Sequence, residues 1–287
     1  MSERDPQPGG GPASAAAPGV GSRRARLAAI PAIAIAAIAI WEAIAAQRAG
    51  AGVPDDAAWE RAAAIVRAEH RPGDLIVFAP DWIDPVGRLH LGDLISIDDA
   101  ARMDAARYGR IWELSIRGAR SPDTAGLAPA LARDEGGVAV RRFERAPGSF
   151  EPLADLRDRL KLPPAVRVEG DPARAPALEL AEVGFAPHRC ILVVPRPGAP
   201  ARLTFPALPA GELVGYVGIA DVFTRRDERR PGRLAVTQGG RSLAEITAGV
   251  EDGWRRFAAP IAAGDVTITV SSDAPSRQIC FAAEVRR

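Results

Sequence analysis

Apolar and polar positions alternate along this chain in three different textures. The first is a continuous run. From Leu27 to Trp41 fifteen residues pass without a charge, broken only by Pro31, and after Glu42 the run resumes at Ala43-Ile44-Ala45-Ala46. Counted through Ala46 the stretch is 20 residues. At about 1.5 Å per residue that is enough to cross a bilayer. The second texture begins at Asp55-Asp56, which suit the positive end of a helix dipole. Ala58, Trp59, Ala62, Ile65 and Val66 then share one helical face. Arg71-Pro72-Gly73 stops that helix. Leu75-Ile76-Val77-Phe78-Ala79 reads as a strand buried on both faces, as in a parallel sheet. The pattern predicts a helix over 97–107, a strand from Arg110 to Ile116, a helix over 122–134, a strand from Val138 to Phe143 and a short amphipathic helix over 150–161. Strand, helix, strand makes a βαβ unit.

From Pro176 the texture changes a third time. Short β-rich runs alternate with Gly/Pro turns at Leu178–Phe185, Cys190–Val194, Ala201–Phe205, Gly211–Val222, Gly232–Gln238, Ser242–Ala248, Val266–Ser271 and Gln278–Val285. Spacing of this kind predicts an antiparallel sandwich or jelly roll. Gly239-Gly240 marks a tight hairpin. Ile279, Phe281, Ala283 and Val285 alternate strictly, which predicts one face in and one face out. The predicted organisation is therefore α/β plus all-β. It comprises a disordered cytoplasmic tail (1–22), a transmembrane anchor or signal (23–48), a small α/β domain (55–165) and a β-sandwich domain (166–287).

Location follows from the flanks. The tail carries Gly9-Gly10-Gly11-Pro12 and Ala15-Ala16-Ala17-Pro18-Gly19, too little apolar surface to order itself. Arg23-Arg24-Ala25-Arg26 precedes the apolar run, so the positive-inside rule puts the tail in the cytoplasm and the body outside, in the periplasm. A cleaved export signal near Ala45-Ala46-Gln47 is the alternative that keeps the body outside. A soluble core helix is the alternative that does not.

Composition narrows the function. Lys+Arg of 37 against Asp+Glu of 36 leave a net charge of +1, so no basic excess points to nucleic acid. Lys161 is the only lysine. Cys190 and Cys280 lie early and late in the β region. They form either a disulfide of an exported domain or two buried thiols. No catalytic, cofactor or metal motif is found. Asp81, Asp84, His90, Asp93, Asp98 and Asp99 match no metal-binding spacing. Beyond the strand ending at Ala79, where α/β ligands sit, the segment Asp81-Trp82-Ile83-Asp84-Pro85-Val86-Gly87-Arg88-Leu89-His90 offers carboxylates, an indole, a guanidinium and an imidazole. Asp81, Trp82, Asp84, Arg88 and His90 are candidate saccharide contacts; the competing account is turn caps and core packing. Trp254 is either an exposed stacking surface or core.

Two resemblances carry these readings further. Arg71-Pro72-Gly73-Asp74-Leu75-Ile76-Val77, the Pro80/Trp82 loop and Arg110-Ile111-Trp112-Glu113-Leu114 resemble the extracytoplasmic C-terminal domain of bacterial polyprenyl-phosphate-sugar-dependent glycosyltransferases, over about residues 55–118. That family's catalytic acids lie in many membrane-spanning helices, and this chain has one candidate span, so the resemblance implies no catalytic residue here. Gly211-Glu212-Leu213-Val214-Gly215-Tyr216, the hairpin 233–248 and Gly253-Trp254-Arg255-Arg256-Phe257 resemble the galactose-binding-like sandwich of carbohydrate modules. Together they imply a membrane-anchored, non-catalytic protein binding envelope glycan, lipid-linked sugar or a glycosyltransferase partner. The alternatives are an enzyme of glycan metabolism with its site in the 81–93 loop, and a structural accessory of a membrane complex.

Overall fold

A computed structural model of the chain describes residues 21–50, 53–146, 148, 150–161, 165–220 and 228–287. Most of the expected tail lies outside the described residues. The chain divides into two units, Met1–Val53 and Pro54–Arg287.

The first unit holds one helix, α1 (Gly21–Gly50), with Pro31 inside it. Ile33, Ile35, Ile38, Ile40, Trp41 and Ile44 on it are all exposed. Among the described residues no helix is long and apolar enough to cross a membrane.

The second unit opens with α2 (Asp56–Glu69). The Asp55 carboxylate caps it by accepting from Ala58 N at 2.8 Å, and Ala58, Trp59, Ala62 and Val66 form its buried stripe. The stripe covers one face of a four-stranded sheet of order β1-β2-β4-β3, built from β1 (Leu75–Ala79), β2 (Arg110–Ile116), β3 (Pro129–Glu135) and β4 (Val138–Glu144). β1 and β2 are parallel, as the βαβ reading requires, and the other pairs are antiparallel. The crossover carries two short helices, α3 (Asp84–Leu91) and α4 (Ile97–Ala100). α3 lies directly on β1 because Gly87 has no side chain; a Cβ there would come within 2.0 Å of the Phe78 ring.

Three predicted helices are corrected. The one expected over 97–107 stops at Ala100 because the next carbonyls are taken by donors from elsewhere. Arg189 N reaches Ala101 O at 2.9 Å, His188 Nδ1 reaches Arg102 O at 3.2 Å and Trp254 Nε1 reaches Met103 O at 3.1 Å. The helix expected over 122–134 is a 3-10 turn (Pro122–Thr124) followed by strand β3. Ser121 N and the Thr124 hydroxyl both donate to the buried Glu113 carboxylate, which also holds Arg120 and Arg141. Gly136 and Gly137, both at positive φ, then turn β3 into β4. Over 150–161 the chain forms a strand, β5 (Pro152–Asp155), and one helical turn, α5 (Leu156–Arg159).

The remaining strands are β6 (Arg167–Glu169), β7 (Arg174–Val183), β8 (Ala186–Val194), β9 (Ala201–Leu208), β10 (Gly211–Ile219), β11 (Gly232–Gln238), β12 (Arg241–Ala248), β13 (Arg255–Ile261), β14 (Gly264–Ser272) and β15 (Ile279–Arg286). They form two antiparallel sheets, β13-β10-β15-β8-β7 with β5 added on β15, and β12-β11-β14-β9-β6. Phe205, Leu203, Val236 and Ile268 of one sheet meet Ile191, Leu213, Phe281 and Val285 of the other in the sandwich core. Besides β3, three strands were not expected. β6 is too short to show a period. β5 sits in what reads as a helix. β13 tolerates Pro260 because it is an edge strand.

β15 also departs from its predicted alternation. All its residues from Ile279 to Val285 are buried. Cys280 and Glu284 point away from the sandwich core, and residues 101–108 and 152–159 cover that side. Arg107, Arg157 and β5 supply its contacts. Residues 55–165 therefore do not stand apart from the sandwich: β5 is a strand of its sheet.

Candidate functional site

The structure scatters the site residues read from the sequence. Asp81 and Trp82 lie on a 3-10 turn after a cis Ala79-Pro80 bond, and Trp82 is 64% exposed. Asp84 is ion-paired with Arg88 one turn on at 2.5 Å. His90 stacks on Trp59 and places Nε2 3.2 Å from Asp56 Oδ1. Ile83, Gly87 and Leu91 turn inward, while Trp82, Val86 and Leu89 turn out. These residues cover the outer surface of α3 and line neither cavity described below.

Trp254 is neither a free stacking surface nor sandwich core. It is half-buried in the seam between residues 101–104 and the sandwich. Its ring stacks on His188 at 4.3 Å between centroids and faces Tyr216 at 6.0 Å. Burial pushes His188 down to about 4, more than the Arg102 carbonyl raises it. That carbonyl fixes the proton of the neutral ring on Nδ1. Close by, Cys190 of β8 and Cys280 of β15 form a disulfide across 5.6 Å between Cα atoms. The two strands are neighbours, and Cys280 faces Leu192 in the register.

Below the disulfide the seam is ionic. Glu284, 1% exposed, takes Arg107 at 2.7 Å and Arg157 at 2.9 Å on Oε1, and Arg286 at 3.2 Å on Oε2. Asp155 binds Arg157 at 2.6 Å, and Asp104 binds Arg286 at 3.0 Å. Buried charges persist when each is paired in this way.

Two adjoining cavities open along this network and share Arg107. One, of about 420 Å³, is walled by Asp155, Asp158, Arg159, Glu284 and residues 152–154. The other, of about 390 Å³, is walled by Arg71, Arg110, Glu144, Arg145, Tyr108 and Phe150. Both volumes fall within the small-molecule range. The Tyr108 hydroxyl donates to Asp99 at 3.0 Å. Burial first, and then the Asp99 charge, push its pKa up, so it stays a phenol.

One signal of this site is present in the sequence. Glu284 is a lone carboxylate inside a near-continuous apolar strand, the mark of a buried charge that needs partners. The arginines carried no such mark in a chain where nearly every cation is arginine. Among the described residues no cluster of three or more His, Cys, Asp or Glu could hold a metal ion.

No protein-family model matches the chain. No curated protein matches it either. Solved structures of carbohydrate-binding modules do. The CBM51-2 and INT domains of Clostridium perfringens ZmpB, solved with GlcNAc, align at 13% identity over 54% of this chain and 35% of that one, with a TM-score of 0.35. The CBM51 of Clostridium perfringens GH95, solved with methyl-galactose, aligns at 9% identity over 47% and 94%, TM-score 0.30. The tandem CBM51 modules of Sp3GH98 from Streptococcus pneumoniae align at 10% over 53% and 56%, TM-score 0.31. This chain spans about a third of the first of these structures. Such values are too low to transfer a ligand or a binding residue.

Proposed function

We propose that this chain is a non-catalytic saccharide-binding protein whose body works outside the cytoplasm, tethered through its N-terminal segment. The observation that carries the reading is the pair of cavities meeting at Arg107. Their walls combine acceptors (Asp155, Asp158, Glu284), donors (Arg107, Arg159, Arg110) and two aromatic rings (Tyr108, Phe150). A polyhydroxyl ligand needs donors and acceptors together, and a pyranose has an apolar face for an aromatic ring.

The ion pairs favour binding over catalysis. A carboxylate gripped by three guanidinium groups, as Glu284 is, orients and accepts; to move a proton it would first have to break those pairs. The disulfide supports an oxidising compartment. The basic cluster at 23–26 ahead of the apolar run supports a cytoplasmic start. The resemblance of residues 55–118 is the ground for proposing a glycosyltransferase as protein partner.

The test is calorimetric titration of the full chain with a panel of mono- and disaccharides and their acidic derivatives. Arg107→Ala should weaken the best ligand by about tenfold, the loss of one charge-assisted hydrogen bond, with the circular dichroism spectrum unchanged. A folded protein that binds no member of the panel overturns the proposal.

A further inference from the structure

We infer that the saccharide is acidic, and that its anionic group, a phosphate or a carboxylate, seats on Arg71, Arg110 and Arg145. The inference rests on the saccharide reading above and adds a charge and a direction to it.

The argument is a balance of charges around the second cavity. Four arginines and one glutamate line it. Arg107 is spent on Glu284 at 2.7 Å. Arg110 leans on the buried Asp74 at 3.5 Å and donates to the Glu69 carbonyl at 3.1 Å. Glu144 faces Arg142 at 3.2 Å, so its charge is also spent. Among the described residues, no carboxylate oxygen lies within 4.0 Å of the Arg71 or Arg145 guanidinium. Among the described residues the Arg145 guanidinium reaches the Asp123 carbonyl alone, at 3.4 Å. The Nε groups of Arg110 and Arg145 are buried and donate to nothing among the described residues.

Buried guanidinium donors without acceptors are costly. An oxyanion in the cavity would pair the Arg71 and Arg145 charges that no carboxylate takes, and the planar fork of arginine matches phosphate and carboxylate oxygens two at a time. The first cavity has a different character. Asp155, Asp158 and Glu284 line it together with Arg107 and Arg159. Asp155 and Glu284 are held by arginines, so its charges are close to balanced and it offers acceptors to neutral hydroxyls without the surplus of unpaired guanidinium that draws an anion. The two ends thus differ in charge: one is near balance, the other has guanidinium groups to spare. A ligand with a charged end and a polyhydroxyl end fits in one direction, its charge beside Arg71 and Arg145 and its hydroxyls beyond Arg107.

The experiment titrates the full chain with glucose, glucose 1-phosphate, glucuronate and inorganic phosphate, and repeats each with Arg71→Ala and Arg145→Gln. Arg71 is exposed, so its replacement should leave the fold intact. The inference expects the two acidic sugars to bind at least about tenfold more tightly than glucose, with each variant removing most of that advantage. Comparing glucose 1-phosphate with glucuronate tells which anion is preferred. Glucose binding as well as its acidic derivatives, or variants without effect, overturns the inference and leaves the saccharide reading standing. Inorganic phosphate binding as tightly as glucose 1-phosphate supports the arginine seat but overturns the saccharide. No binding by any of the four overturns both.

Discussion

His188 shows how much one side chain can depend on its surroundings. It sits between the Trp254 ring and the Arg102 carbonyl, and burial holds its pKa near 4. An unfolded chain would take up that proton near pH 6.5. Above 6.5 both states are neutral and the residue adds no pH dependence. As pH falls below 6.5 the unfolded state binds the proton and the folded state does not, so stability falls, by at most about 3 kcal/mol by pH 4. Urea midpoints should therefore drop between pH 7 and pH 4.5, and His188→Phe, which keeps a ring in the stack, should flatten that drop. An equal drop in the variant would show that other groups cause it. None of this was visible in Pro187-His188-Arg189-Cys190, because the ring's neighbours come from positions 102 and 254, far away in sequence. The loop that drew attention, Asp81 to His90, is the reverse case. Its residue types suggested a site, yet Asp84 and Arg88 satisfy each other within one helical turn.

At the scale of elements, periodicity was a good guide where burial was one-sided or complete. β1, α2 and most sandwich strands stand where the pattern puts them. The pattern failed where an element is defined by a distant partner. α4 ends because sandwich donors take its next carbonyls, β5 is a strand because β15 lies beside it, and β3 exists because β4 returns along it. The clearest long-range tie is the disulfide, which joins β8 to β15 across 90 residues of chain. Its removal by Cys190→Ala with Cys280→Ala should cost about 2–4 kcal/mol, read as a lower denaturant midpoint. A reductant should lower the wild-type midpoint to the same value and leave the double variant unmoved. A wild-type midpoint indifferent to reductant would show that the bond does not contribute.

For the whole molecule, the decisive question is on which side of a membrane Pro54–Arg287 folds. The disulfide and the basic flank at 23–26 both speak for the outside. A fusion of alkaline phosphatase after Pro54, expressed in a bacterium, should be active, because that enzyme matures only where disulfides form. An inactive but expressed fusion would overturn export. Two regions could be distinguished from sequence by their textures, but not their union. Glu284 of the sandwich carries Arg107 from the α/β region and Arg157 from α5, and no local pattern announces a salt bridge spanning 177 residues.

β15 makes that union a matter of timing. It lies between β10 and β8, holds one half of the disulfide, and brings the carboxylate on which three arginines converge. It is also the element of this body that leaves the ribosome last. Until it emerges, two sheet edges stay open, one thiol lacks its mate and Arg107 and Arg157 lack Glu284. Closure of both sheet edges, of the disulfide and of the arginine cluster therefore falls to one event, the arrival of Ile279–Arg286.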